Sequence, residues 1–498
     1  MPNGNLEQEN IEKVKSAEDK EVGETITAFP TKRFFVGMFT RDIELDDAIL
    51  DLLDNCVDGV QRTLKRRREE RGNAVEEVAL EPDDQSYEGF WAAVEFGKGF
   101  FRISDNCGGI PKNSEAFRLG NPNLEKDKGL ATIGFYGIGM KRAIFKMGRH
   151  CTVTTKHRNE AYRVTITDEW LKNDKEWELP VEDLNPNDYE EGTVIEITEL
   201  NDPIVNRFDL EKTEAFSEDF EKKVSTHYSY IIHKQFTVKI NKTKIKPQFV
   251  EFQFSSPEDD PHGNRRIAPY VYEGYYNDVR IQLVCGFYRN LPTETEIEDD
   301  LKGRNTTELA GWTIICNDRV VEYCNKEKLT GWGEAGVPKY HTQFISIAGI
   351  VRFYSTELEK LPLTTTKRGI DAGSDTYLTV KNLMREALKI FTVHTNKWKT
   401  RSPDRDAIVN NTIGLSPFQI SEYIEDKEWQ EVKKEVVGKK FVPKLPEPTV
   451  ENANQTIRFS RPHLEIVKVS DYLFGDASVA PGKIGEECFD RFLDETYK

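Results

Sequence analysis

Apolar positions first recur at helical spacing between Asp46 and Arg71, where Ile49, Leu50, Leu52, Leu53, Val57 and Val60 form one stripe. That spacing predicts an amphipathic helix ending in a highly charged turn. Alternation of apolar and polar residues then takes over. Trp91–Phe96, Phe100–Ser104, Cys151–Thr155, Ala161–Thr167 and Thr193–Thr198 read as short strands with turn chemistry between them. Residues 111–150 interrupt them with a Gly-rich loop and a helix. The first 200 residues therefore predict helices laid on a largely antiparallel sheet, an α+β layout.

A second strand-rich region includes Phe236–Ile240, Val279–Tyr288, Gly311–Asn317 and Phe344–Phe353. Residues 377–399 then show helical spacing, with Leu383, Leu388 and Phe391 among the apolar positions. Beyond Arg401 the chain turns rich in proline and charge, and "KKFVPKLPEP" reads as linker. Residues 456–498 regain a hydrophobic pattern that predicts a small helical module. Residues 1–29 are acidic and carry almost no apolar periodicity, the composition of a flexible leader.

Composition narrows the classes. A chain of 498 residues is too long for one ordinary core. Hydrophobic residues at 37 % and charged residues at 31 % exclude a disordered or collagen-like chain. No stretch approaches the ~20 apolar residues needed to cross a bilayer, and the N-terminus lacks a signal-peptide pattern, so a cytoplasmic location without membrane contact is expected. The net charge of -17 repels phosphate backbones at long range, so any nucleic-acid contact must come from a local basic patch. The run Lys65, Arg66, Arg67, Arg68 reads as the solvated tail of the first helix rather than such a patch. Seven cysteines without a CxxC pair suggest neither a zinc site nor a disulfide framework.

Four segments carry chemistry. In "DAILDLLDNCVDG" (residues 47–59), Asp51 and Asn55 share a helix face with Asp58 three residues on. A carboxylate and a carboxamide so placed can position a water and offer a hard oxygen to Mg²⁺. In "RISDNCGGIP" (residues 102–111), a strand delivers Asp105 to Gly108 and Gly109, where the carboxylate can accept from a ligand amino group. In "GFYGIGMKRAIFKMG" (residues 134–148), Gly134, Gly137 and Gly139 lead into a helix, and Lys141 lies in its first turn. Backbone N–H groups at such a helix start suit a phosphate. A cation there is disfavoured by the helix dipole unless an anion binds. In "EGTVIEI" (residues 191–197), Gly192 and Thr193 open a strand.

In this order and spacing the four resemble the GHKL ATPase superfamily of gyrase B-type topoisomerases, ninety-kilodalton heat-shock chaperones, histidine kinases, MutL and MORC proteins. The resemblance covers roughly residues 30–200 and implies the Bergerat fold, an α/β sandwich binding ATP under a flexible lid, here residues 112–136. It implies that Asn55 ligands Mg²⁺, that Asp105 takes the adenine amino group with Thr193 in support, and that Gly109 belongs to the adenine loop. Gly134, Gly137, Gly139 and Lys141 would surround the phosphates, and Asp51 would activate water. Two positions depart from the pattern. The activating acid is usually Glu, whereas Asp51 is one methylene shorter, which allows hydrolysis but predicts a slow one. The usual D-x-G-x-G reads Asp105-Asn106-Cys107-Gly108-Gly109, with Cys107 at the first glycine.

"GWTIICNDRVVE" (residues 311–322) and "LPLTTTKRGID" (residues 361–371) resemble the transducer domain of the same proteins, in which a loop lysine reaches the γ-phosphate; Lys367 matches it. "RLG" (Arg118–Gly120), "GFYGIGMKRA" and "CNDRVV" are closest to MORC-like ATPases. The resemblance thus implies an ATP-binding domain over 30–205, a transducer-like domain over 206–400, a linker over 401–455 and a helical module over 456–498. It implies an ATP-dependent homodimer acting as a clamp on DNA or in a prokaryotic anti-phage defence complex, with a separate effector protein held through the C-terminal region. The alternative is a chaperone-like machine that remodels proteins and ignores DNA. Lys397, Lys399, Arg401, Arg405, Lys433, Lys434, Lys439, Lys440 and Lys444 are candidate phosphate contacts or a solvated surface.

Overall fold

The computed structural model describes residues 31–72, 86–118, 129–134, 137–255, 266–292, 296–297, 309–364, 369–398, 412–433, 436–447, 457 and 459–496. The protein is α+β and divides into two compact units, the first running to Glu447 and the second from Pro448.

The first unit opens with α1 (Lys32–Arg41) and α2 (Leu45–Glu70), the latter carrying the predicted apolar stripe. An eight-stranded sheet follows, in the order β5-β4-β3-β6-β2-β1-β7-β8. Its strands are β1 (Trp91–Gly97), β2 (Phe100–Asp105), β3 (Gly148–His157), β4 (Glu160–Ile166), β5 (Val181–Leu184), β6 (Gly192–Leu200), β7 (Thr237–Ile240) and β8 (Thr243–Lys244). All neighbours are antiparallel except β1 and β7. The helix α3 (Gly139–Met147) leads directly into β3, and the short α4 (Asp168–Lys172) follows β4. Then α5 (Asp202–Arg207), α6 (Leu210–His227) and α7 (Ser229–His233) return the chain to β7. Alternation in β1 turns Ala92, Val94 and Phe96 inward, into a cluster with Ile103, Val153, Ile197, Leu53, Val57, Ala143 and Ile144. Helices therefore line the inner face of this sheet, as a half-buried antiparallel layer requires.

A seven-stranded sheet has the order β13-β12-β14-β11-β10-β17-β16. It comprises β10 (Tyr270–Tyr276), β11 (Val279–Phe287), β12 (Gly311–Cys316), β13 (Arg319–Asn325), β14 (Ile347–Tyr354), β16 (Gln430–Val432) and β17 (Val437–Phe441). Helix α8 (Asp375–Trp398) covers one face through Val380, Met384, Leu388 and Phe391. The other face meets Tyr230, Phe252 and Phe254, the last two on β9 (Phe252–Ser255), which pairs with β15 (Thr412–Leu415). Covered on both faces, β12 is buried along its whole length. In the second unit, α9 (His463–Phe474) and α10 (Pro481–Thr496) fall within the expected helical module.

Two expected boundaries are corrected. The first sheet does not end at residue 205, because the edge of β1 is completed by β7, with Trp91 opposite Thr237 and Val94 opposite Ile240. An open β1 edge would leave backbone donors and acceptors unpaired against a buried face. Nor is 401–455 only a linker. The polar pattern hid β17, whose consecutive Lys439 and Lys440 point to opposite faces while it pairs with β10 from Val271–Phe441 to Tyr275–Val437. The leader over 1–29 lies outside the described residues.

Candidate functional site

Helix α2 is the axis of the site, and four carboxylates on it are each held by a different element. Asp47 pairs with Lys223 of α6 at 2.9 Å. Asp51 pairs with Arg142 of α3, whose Nε lies 3.2 Å from Oδ2 and whose Nη2 bonds the same oxygen. Asp54 accepts from Arg319 Nε of β13 at 3.0 Å and from the Tyr228 hydroxyl. Asp58 is fully buried and accepts from the backbone N–H of Ile133 and of Gly134, each at 2.6 Å. Spacings of three and four residues keep these groups on neighbouring faces while the stripe through Leu53 and Val57 faces the sheet.

Asn55 stands exposed on the same helix. A Cβ at Gly134 would fall 2.4 Å from Asp58 Oδ2 and 3.8 Å from Asn55 Oδ1, so only glycine lets the loop run against this face. The carboxamide oxygen of Asn55 thus faces the glycine loop that leads to α3, a donor of the hard type Mg²⁺ prefers.

Beside the middle of the helix, at Cys56, β2 delivers Asp105. Its Oδ1 accepts from the Cys107 N–H at 2.7 Å, its Oδ2 from the Cys56 thiol at 3.7 Å, and the backbone N–H of Thr193 donates to the carboxylate too. Burial raises its pKa to about 6, against the lowering effect of these donors. Cys107 occupies the first glycine position of the D-x-G-x-G pattern without distortion because its side chain enters the core. The left-handed backbone falls instead on Gly108 (φ 107) and Gly109 (φ 68). At those two positions a Cβ would lie 1.9 Å from Thr63 Oγ1 and from the Lys156 carbonyl, so only glycine fits. Thr193 is opposite Asp105 in the β2–β6 register, with its hydroxyl 3.1 Å from that of Thr155. Thr155 also accepts from the Ile110 N–H at 2.9 Å and donates to the Gly192 carbonyl at 3.0 Å, which ties the glycine loop to β3 and β6.

The phosphate candidates sit at the start of α3. Gly139 begins that helix, and its Ncap residue, Ile138, supplies no capping side chain; no acid lies in the first turn. Lys141 is buried, and its Nζ donates to the carbonyls of Ala116, at 2.7 Å, and Gly137. Burial lowers its pKa to about 8. A helix start with open N–H groups and a buried first-turn cation, Lys141, is unfavourable alone and is resolved by an anion; the neighbouring Arg142 is already matched by Asp51. Of the expected lid, 112–136, only residues 112–118 and 129–134 are described.

A small cleft opens on the Asp51 side of α2, lined by Asp47, Asp54, Thr132, Asn317, Arg319 and Leu363 among others. Leu363, which lines this cleft, bridges Ile370. Lys367 itself lies outside the described residues.

The structure thus brings Asp51, Asn55, Gly134 and Gly139 together, and Asp105, Gly109 and Thr193 together, along one helix. Sequence reasoning missed Arg142, Cys56, Thr155 and the Asp54–Arg319 pair. Arg142 stood beside Lys141 in the glycine segment, but nothing in one sequence pairs it with Asp51. His157 has Nδ1 2.7 Å from the Gly108 carbonyl. In the basic run, expected as a solvated tail, Arg66 pairs with Glu191 at 2.7 Å and Arg67 lies over Phe90, so these two side chains are held against the protein. No helix among the described residues is long and apolar enough to cross a membrane.

Residues 43–202 match the family described as "Histidine kinase-, DNA gyrase B-, and HSP90-like ATPase". The match supports placing this segment in the GHKL superfamily and supports ATP binding by it. No curated protein matches the chain.

Proposed function

We propose that the chain is an Mg²⁺-dependent ATPase whose nucleotide-binding layer works as an ATP-gated dimeric clamp, closest to the MORC and MutL type. The observation that carries the ATPase reading is the pairing, on one helix, of a carboxylate at Asp51 and an exposed carboxamide at Asn55 beside the uncapped start of α3. Asp105 and Thr193 would hold the adenine amino group, while Gly134, Gly137, Gly139 and Lys141 would surround the phosphates. Bound Mg²⁺ supplies charge neutralisation to the phosphates, and Asn55 provides a neutral oxygen for it. Asp51 takes a proton from water as the water oxygen bonds the γ-phosphorus and the β–γ bridging P–O bond breaks, giving ADP and phosphate. Lys367, brought from the second sheet, would couple the γ-phosphate to that layer.

Steady-state ATP hydrolysis with and without double-stranded DNA tests the reading. Asp51→Asn should lose turnover by about 10²–10⁴-fold while still binding ATP, whereas Asn55→Ala should weaken Mg·ATP binding itself. Wild-type turnover in Asp51→Asn would remove the general base from the account.

The charges favour a second reading for the partner. Several lysines considered for DNA are already matched by acids: Lys397 with Glu447, Lys433 with Glu431, Lys439 with Glu273 and Lys440 with Glu386. With a net charge of -17, this supports a protein partner or client over DNA, as in a chaperone-like machine. Turnover stimulated by DNA supports the DNA clamp or defence role; turnover indifferent to DNA supports the protein-remodelling one.

A further inference from the structure

We propose that Arg142 is a positioning residue for Asp51, fixing the shortened base to the same helix turn that would receive the phosphates. This rests on the ATPase reading and adds a residue to it. Both donors of the contact, Nε and Nη2, fall on a single oxygen, Oδ2. Two donors from one planar group hold a carboxylate more firmly than one ammonium could. The pair is well shielded, with side-chain exposures of 13 % and 19 %.

The packing behind the pair makes the same point independently. A Cβ at Gly139 would lie 3.3 Å from Asp51 Cβ and 3.6 Å from its Oδ2, so the first turn of α3 rests directly on the base. Asp reaches less far than Glu, so its carboxylate depends more on an outside support to meet a water at a phosphate. Arg142 provides that support from the element that also presents the open N–H groups. The base and the phosphate end of the site are thereby tied to the same helix turn.

The other charges facing Asp51 have partners of their own. On α2, Asp47 is held by Lys223 and Asp54 by Arg319. From α3, Lys141 bonds backbone carbonyls. Tyr228 adds a phenol whose pKa burial pushes well up, keeping it neutral. Arg142 is thus the cation committed to Asp51 among the described residues. Its removal should raise the pH at which the base becomes protonated.

The test is the pH profile of kcat for full-length wild type, Arg142→Ala and Arg142→Lys, with ATP affinity measured separately by calorimetry. The expected result for Arg142→Ala is a kcat lower by about tenfold or more, an acid limb displaced upward by about one pH unit, and ATP affinity within about threefold of wild type. Arg142→Lys should recover part of both changes. An unmoved acid limb, or a loss of kcat that lysine does not rescue, would overturn the proposal while leaving the ATPase reading intact. Absence of turnover in the wild type would overturn both.

Discussion

Replacing Arg319 by alanine should be among the most destabilising single changes in the chain, and the structure sets the size of the effect. Arg319 and Asp54 are 14 % and 10 % exposed at their side chains and meet at 3.0 Å between β13 and α2. The guanidinium also lies 4.7 Å from the Tyr228 ring and donates to the Val320 carbonyl at 2.7 Å. Burial alone would lower the Arg319 pKa, yet the charge of Asp54 overrides it and raises the value. Deleting the guanidinium strands a carboxylate in a shielded site, which costs about 3–5 kcal/mol when one partner of a buried pair is removed. The Tyr228 hydroxyl still donates to Asp54, which takes the expectation to the lower end, about 3 kcal/mol. Urea denaturation followed by tryptophan fluorescence would measure it, in a cycle with Asp54→Ala and the double variant. The double variant should be less destabilised than the sum of the two singles. A loss below about 1 kcal/mol in Arg319→Ala, the range of a screened surface pair, would refute the reasoning.

Two further outcomes are expected. Asp105→Asn keeps the shape of the adenine end but presents amide hydrogens where an acceptor is required; ATP affinity should fall by about 10–100-fold, as for loss of a charged hydrogen bond. Wild-type affinity should weaken as pH falls through about 6, the value to which burial raises Asp105, and calorimetry would show this dependence absent from the asparagine variant. For stability, burial lowers the pKa of His227 to about 3, aided by Arg319, and that of His394 to about 4, aided by Lys397. The folded state therefore binds fewer protons at these sites than the unfolded state, and the stability present above pH 6.5 is lost as pH falls. Asp105 acts oppositely, its contribution being lost as pH rises toward about 6. The two histidines outweigh the single carboxyl, leaving about one net proton near pH 5.5 and a slope of about 1.4 kcal/mol per pH unit. Thermal melts should show a lower Tm at acid pH, with a shallower slope in His394→Leu; a flat profile would refute the assignment.

Besides the Arg319–Asp54 pair, a turn of the second sheet also touches the nucleotide layer. Asn317 and Asp318, in left-handed conformation at φ 46 and 66, close the β12–β13 hairpin. Asn317 Nδ2 donates to the Thr132 carbonyl at 3.1 Å, and Asp318 is buried between Lys234 and Arg352. Thr132 belongs to the loop that Asp58 holds at Ile133 and Gly134. Displacing that loop would therefore load the turn directly, a physical route from the nucleotide site to the second layer.

The sequence alone determined what depends on local spacing. The stripe through Leu53 and Val57 placed α2, alternation placed β1, β2 and β6, and the run of glycines before Lys141 marked the start of α3. Each of these signals is carried by residues a few positions apart, within reach of backbone geometry. Strands without a strong apolar pattern, such as β5 at the edge of the first sheet and β17 between β10 and β16, stayed hidden because their pairing partners, not their own residues, make them strands. Only the tertiary structure decided which cation serves which acid. Asp47, Asp51, Asp54 and Asp58 look alike along α2, yet Lys223, Arg142, Arg319 and two backbone amides reach them from elements 75 to 265 residues away. Long-range charge pairing leaves no period in the chain, because any exposed lysine or arginine is equally suited to the task until folding brings one of them within about 3 Å.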